Sequence, residues 1–581
     1  MTTRPLARFW TALPAVLLAA LPGIAQEESS TPPTDEPFFE RVAVNIVNVE
    51  VYVTDEDGNP VTDLTIEDFE VHEGRRPVEV VNFYRVTNGL AEVAATPAPA
   101  PTDETAATET AETETVEMQL VEQQVPESQR LHLIVYVDNF NIHPLNRNRV
   151  FSRLRSFLHD NVKRGDEVML ASYDRSLHIR QPFTADSTRV NQELFALENT
   201  TGYAVEREAE RSEAVRKIYE AKTLNGALRD AAEYSNNAQF ELRESIDGLV
   251  EMVDSLAGLP GRKMLLHVSD GLPMVPGQSL YQAVQQRFAD ISALGEAITR
   301  DESRNFMRLI SRANSNRISF YTIDAGGLRT RSGFGAENRA ANTSHVIGTA
   351  VDSVHTKNLR DTLLLMANRT GGQAVFNTND VSAGLERFAR DFDNYYSLGY
   401  RAPIEERGRY HKIEVRLKEK HRGWRLRHRE GYRDKSPDVK VSDAMASFLV
   451  HGYQTNPLGV RVELGQQIPD EDGMVAVAIR VRIPLAKIVL LPRPGRHEGR
   501  LSVYLIVADE KGRQSPRQEL PLEVQIPEES LEMALADDVT RIINATMRPG
   551  DHRLVIAVRD EISEERSVIG HHVTVAKGRG D

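Results

Sequence analysis

Two stretches of this 581-residue chain end an apolar run on a carboxylate, Val135-Tyr136-Val137-Asp138-Asn139-Phe140-Asn141-Ile142 and Leu266-His267-Val268-Ser269-Asp270-Gly271. Asp174 and Asp324 close two further runs in the same way. If these runs are neighbouring strands, Asp138 and Asp270 stand on adjacent loops. Two carboxylates there, joined by one or two hydroxyls, suit a hard divalent cation such as Mg²⁺ or Mn²⁺, which takes oxygen ligands and keeps several waters. The alternative use of a strand-end Asp is local, capping the helix that follows or holding loop N–H groups.

Other chemistry is poorly supplied. The chain has no Cys, which removes disulfides, thiol nucleophiles, thiolate metal sites and a lipidated cysteine. Gly371-Gly372 is too short for a nucleotide fingerprint, Ser269-Asp270-Gly271 lacks the flanks of a nucleophile elbow, and there is no His-Glu-x-x-His. His411, His421 and His428 fall in a basic, alternating stretch that reads as a solvated face, and His571-His572 sit in a late strand. The expectation is a chain without enzymatic activity.

The elements that must position the aspartates occupy residues 130–402. Short strands such as LHLIVYVD, EVMLASYD, RKMLLHVSD and RISFYTID alternate with helical periodicity. Runs apolar on both faces belong between two helical layers, so the predicted fold is a doubly wound, Rossmann-like α/β domain. In that architecture ligands meet the loops at the C-terminal strand ends, where all four aspartates fall. The charged stretch EREAERSEAVRKIYEAK carries opposite charges at helical spacing and reads as a solvated helix, with partner recognition as the alternative. Residues 326–353 read as a long loop on the ligand face and as a candidate binding element.

The flanks are β-rich. Residues 40–88 alternate apolar and polar around the turn Asp57-Gly58-Asn59-Pro60, too little chain to bury a core alone. Residues 403–435 return to the same alternation and are predicted to form a hairpin pairing with that unit. Between them, 89–129 contains no Lys or Arg and is rich in Thr, Ala, Pro and Glu, which reads as a disordered acidic linker. Strands separated by Gly, Pro and Asp turns over 442–577 predict an Ig-like β-sandwich.

At the N-terminus, Arg4 and Arg8 precede an apolar run and small residues near Ala25, the order of a secretory signal over 1–25, with a retained anchor as the alternative. No later run is long enough to predict a membrane span, so the mature protein is expected in the periplasm or outside the cell. The net charge of −15 argues against a nucleic-acid surface.

Asp138 followed by a helix, the segment Thr223-Leu-Asn-Gly-Ala-Leu-Arg-Asp-Ala-Ala and the segment Gly261 to Gly271 resemble the motif order of a von Willebrand factor type A (VWA) domain. With EDGNPVTDLTIEDFEVHEG, Thr370-Gly-Gly-Gln-Ala-Val-Phe376 and Tyr395-Tyr396-Ser-Leu-Gly-Tyr400, residues 41–432 are similar to the VWFA-related Acidobacterial-type domain family. The resemblance implies a metal-ion-dependent adhesion site in which Asp138 is the first Asp, Asp270 the last and Thr223 the middle hydroxyl. The chain departs from that pattern at Phe140 and Ile142, which stand where two serines would bind, with Asn139 and Asn141 as the substitutes at hand. The expected function is protein binding or adhesion through a degenerate metal site. The alternative is a metal-independent structural or assembly scaffold of the bacterial envelope.

Overall fold

The computed structural model describes residues 46–87, 89–93, 130–162, 166–328, 344–402, 408–418, 423–470 and 473–576. The predicted signal, most of the acidic segment, His421 and the middle of the 326–353 loop lie outside these residues.

The first β layer begins with β1 (Ile46–Thr54), β2 (Phe69–Glu73), β3 (Arg76–Val78), β4 (Val80–Thr87) and β5 (Leu90–Val93). The last of these extends the N-terminal unit past 88, into what reads in sequence as linker, because Leu90–Val93 pairs antiparallel with β4.

The α/β portion runs through β6 (Leu131–Asp138), α1 (Pro144–Asn161), β7 (Glu167–Tyr173), β8 (Leu177–Thr184), α2 (Ser187–Glu198), α3 (Ala204–Glu220), α4 (Leu224–Ser255) and β9 (Arg262–Ser269). It continues with α5 (Gln278–Phe288), α6 (Ser292–Ile298), α7 (Ser303–Ser315), β10 (Ile318–Asp324), α8 (Ser344–Arg369), β11 (Ala374–Val375) and α9 (Ser382–Asp393). The sheet order is β11-β10-β9-β6-β7-β8, parallel except for the edge strand β8. Every residue of β6 and of β9 is buried, because helices cover both faces. Val135, Val137, Leu266 and Phe151 belong to one core; Ile134, Met169, Leu265 and Leu249 belong to the other.

After α9 the chain returns to β structure in β12 (Tyr395–Arg401), β13 (Tyr410–Leu417), β14 (Arg425–Arg427) and β15 (Gly431–Arg433). β12 inserts between β1 and β4, β14 joins the other edge of β1, and β13 pairs with β2. Two sheets, β14-β1-β12-β4-β5 and β15-β13-β2-β3, therefore draw on segments more than 300 residues apart in sequence. They close on Val49, Val51, Phe69, Phe83, Tyr396, Leu398 and Tyr400. Pairing with distant strands gives 46–87 the core it is too short to build alone.

Residues 442–451, the start of the predicted β-sandwich, are instead helical: with 437–441 they form α10 (Pro437–His451). It starts with Ser436 as cap and Pro437 in the first turn, and it ends at Gly452 with φ 71°. The last third of the chain holds β16 (Arg461–Pro469), β17 (Val475–Pro484), β18 (Leu491–Arg493), β19 (Arg496–Asp509), β20 (Gln518–Pro527), the short α11 (Leu531–Leu535), β21 (Asp538–Met547), β22 (Gly550–Asp560) and β23 (Arg566–Val575). One sheet is β16-β17-β21; the other is β18-β19-β22-β23 with β20 paired to β19. Their shared core includes Val477, Ile479, Val481, Val503, Leu554 and Ile556. Helix α10 packs Val441, Met445 and Phe448 on the outer side of the second sheet. It also meets the end of α4, where Ser447 Oγ donates to Ser255 O at 2.8 Å.

Candidate functional site at the strand ends

The strand order reverses direction around β6, so the loop that follows it, 139–143, sits at the sheet's switch point beside the loop that follows β9. Both are short, and each begins at a predicted aspartate. The structure brings Asp138 and Asp270 to this one place and spends them on protein donors.

Asp138 is buried, at 2% exposure. Asn141 Nδ2 lies 3.0 Å from both carboxylate oxygens, Asn141 N donates to Oδ1 at 3.1 Å, and Ser269 Oγ donates to Oδ2 at 3.0 Å. Asp270 Oδ2 accepts from His143 N at 2.9 Å, and Asn146 Nδ2 approaches its two oxygens at 3.2 and 3.0 Å. Asp270 thus reaches across from another loop to the N-terminus of α1, where unpaired N–H groups and the helix dipole favour an anion. Of the two sequence readings for these residues, these bonds follow the local one: loop closure and helix capping.

Phe140 and Ile142 point to opposite sides of the sheet. Phe140 joins the core that contains Tyr136 and Tyr173, with the Arg207 and Arg175 guanidinium groups 4.9 and 5.3 Å from its ring centre. Ile142, fully buried, joins the core that contains Val137 and Phe151. Apolar anchors hold the loop from below at the spacing where metal-binding serines would stand. Asn139 and Asn141, the candidate substitutes, are also committed: Asn139 Nδ2 donates to Thr201 O at 3.1 Å, and Asn141 bridges Asp138 and Ser245.

Thr223 needs correction. It is the N-cap of α4, its Oγ1 accepting from Gly226 N at 3.2 Å. The α4 residue at the aspartate pair is Ser245, 22 positions later, or about 33 Å along a helix rising 1.5 Å per residue. Thr223 therefore stands at the far end of the helix from Asp138. What lies against the 139–143 loop is the turn 199–203, which the sequence reading passed over. Arg147, fully buried, ties the two together by donating to Thr200 Oγ1 at 3.1 Å, Glu198 O at 2.9 Å and Thr200 O at 3.0 Å, and to Asn139 Oδ1. A buried Arg in an amphipathic helix gives no sequence signal of this role. Among the described residues, no group of three or more His, Asp or Glu is arranged to hold a metal.

The other strand-end aspartates also serve locally. Asp174 pairs with His178 of β8 at 2.8 Å, and Asp324 Oδ1 accepts from Gly326 N at 3.0 Å. Two of the histidines read as a solvated face are packed: His411 contacts Glu73 at 2.8 Å and stacks on Tyr432, and burial lowers the pKa of His428, whose Nδ1 lies 2.7 Å from Arg429 O. The 326–353 segment is helical from Ser344 onward, so α8 and not a loop forms that side of the strand-end face.

Above the aspartates opens a cleft of about 620 Å³ between the 139–143 loop, α3, the 270–277 loop with the start of α5, and α8. Polar and apolar groups share its lining, and both signs of charge are present. The charged stretch of α3 lies here, so it is partly solvated helix and partly cleft wall.

No protein family and no curated protein matches the chain. Among solved structures, BatB from Bacteroides thetaiotaomicron aligns at 12% identity over 45% of this chain and 96% of its own, with a TM-score of 0.22. A von Willebrand factor type A protein from Catenulispora acidiphila aligns at 9% identity over 77% and 66%, with a TM-score of 0.20. The three N-terminal domains of the type V pili tip protein Mfa5 from Porphyromonas gingivalis align at 10% identity over 78% and 71%, with a TM-score of 0.22. Such scores are too low to transfer a property, so the functional reading rests on the geometry.

Proposed function

We propose that this chain is an exported, non-enzymatic protein-binding protein. In this reading its α/β portion is a VWA-type module whose adhesion-site position is closed by protein donors, and it recognises its partner without a metal ion. The observation that carries the reading is the pairing of the 620 Å³ cleft at the strand ends with two aspartates, Asp138 and Asp270, already consumed by hydrogen bonds beneath it. A cleft in this position is where doubly wound folds meet ligands. Filled carboxylates leave recognition to the side chains around the rim. Export follows from the Arg4, Arg8 and apolar order of the first 25 residues. The β-rich segments, including the C-terminal sandwich, which we read as Ig-like, serve as spacer and support.

A photo-crosslinking residue at Thr201, exposed beside the cleft, tests this in cells that make the protein, with Ile542 on the sandwich as the comparison site. The expected result is a discrete protein adduct from position 201 that persists in EDTA. Adducts from position 542 alone would favour the scaffold reading, and adducts from neither would refute protein binding by this chain.

A further inference from the structure

We infer that the strand-end cleft receives acidic side chains from an extended peptide segment of a partner protein, held directly by guanidinium and ammonium groups. The inference rests on the protein-binding reading above and adds the chemistry of the occupant.

Three carboxylates line the cleft, and each is already engaged within the protein. Glu208 and Asp352 both bind Arg211, at 2.9 and 3.0 Å, and Asp270 is held by His143 and Asn146. The cations are in excess of these commitments. Arg211 is 8% exposed, and its second terminal nitrogen is buried with no hydrogen-bond partner among the described residues. Lys357 is exposed and Arg360 half-buried, and neither forms an ion pair among the described residues. The Arg360 guanidinium lies 5.5 Å from the centre of the Phe376 ring, and its Nε is buried without a partner among the described residues.

A buried donor left unpaired costs free energy that an incoming acceptor recovers. Carboxylates are suited acceptors, because guanidinium presents two parallel N–H groups to their two oxygens and the partly enclosed cleft reduces screening. On a chain of net charge −15, a lining with uncommitted positive charge is a local exception, and charge complementarity therefore selects an acidic occupant. At about 620 Å³ the cleft lies within the range of specific ligand sites.

The test titrates the full chain, in EDTA, against end-capped fluorescent peptides of six Glu or six Gln residues, followed by anisotropy. The Glu peptide is expected to saturate and the Gln peptide to bind at least tenfold more weakly. Lys357→Glu, at an exposed position that leaves the core intact, should weaken the Glu peptide at least tenfold, and adding Arg360→Glu should abolish binding. Lys487→Glu, exposed on the distant sandwich, should change nothing. Equal binding of the two peptides, indifference to Lys357→Glu, a requirement for Mg²⁺, or displacement by equimolar inorganic phosphate would overturn the proposal. A position-201 adduct without Glu-peptide preference would sink this inference alone. Loss of both would sink the reading beneath it.

Discussion

The side-chain amide of Asn141 lies 3.0 Å from each carboxylate oxygen of Asp138, three residues earlier on the same loop. With Ser269 on the second oxygen, the carboxylate that would face a metal is turned into a loop clasp. Titration of the purified protein with Mg²⁺ or Mn²⁺ is therefore expected to show no saturable calorimetric signal. Asp138→Ala should cost about 3 kcal/mol in urea unfolding, because it strands buried donors. Sub-millimolar binding that Asp138→Ala with Asp270→Ala removes would contradict this.

Serines at positions 140 and 142 would complete the Asp-x-Ser-x-Ser spacing, yet they are expected to harm the protein. Phe140 and Ile142 are buried in separate cores, and large-to-small changes at such positions typically cost about 3 kcal/mol or more each. Phe140→Ser with Ile142→Ser should lower the melting temperature sharply without creating metal affinity. A stable double variant that binds Mg²⁺ would show the loop to be more adaptable than its packing implies.

Glu50 on β1 pairs with Arg317, at the start of β10, and so joins the first β layer to the α/β portion. Burial raises the Glu50 pKa, but the charges of Arg317 and Arg429 and the hydrogen bond to Arg317 outweigh it and hold the pKa at about 2. The folded value is depressed. The pair's contribution, on the order of 3 kcal/mol, is therefore complete above the unfolded carboxyl value and is lost as pH falls from about 4.5 towards 2. Chemical denaturation across that window should show the loss, and Glu50→Gln should flatten it. An unchanged slope in the variant would remove Glu50 as the cause.

His451 at the end of α10 lies 3.1 Å from Ser255 Oγ and edge-on to Phe183. Burial, aided by the neighbouring His132, lowers its pKa to about 4 against the opposing hydrogen bond that the ring makes to the Ser255 backbone. Because the folded value is again the lower one, stability should be full above about 6.5 and decline as pH falls towards 4. Hydrogen exchange of α10 amides at pH 7 and pH 5 measures this. Equal protection at both would exclude the histidine as a pH-sensitive contact.

Gly258 follows α4 where α10 crosses it, and a Cβ there would lie 2.4 Å from Ala444 Cα and from Asp443 O. The clash is with backbone, so Gly258→Ala is expected to push α10 away at a cost of about 1–3 kcal/mol. Limited proteolysis should then cut near 435–456 before elsewhere. Resistance equal to wild type would show that α10 tolerates the shift.

Strand identity in the α/β portion was legible because burial on both faces demands runs such as LHLIVYV and KMLLHV, and because Asp ends each of them. The same logic drew Asp138 and Asp270 together, since adjacent parallel strands must end on the same edge of the sheet. Thr223 came from the motif order of the resemblance and from no such argument about strands. Its capping position was readable, but the 32-residue length of α4, which carries it away from the sheet, was not.

By itself the sequence determined the strands of the α/β portion, the parallel sheet and the meeting of two carboxylates, because hydrophobic periodicity and strand-end chemistry are local properties of the chain. Only tertiary structure decided what those carboxylates do. Asn141, Ser269, His143 and Asn146 reach them through loop closure and strand neighbours up to 131 residues apart, and no local pattern encodes such convergence. The pairing of β1 with β12, the bracket made by α10 and the uncommitted cations of the cleft arise in the same way, from contacts that exist only once distant segments share a surface.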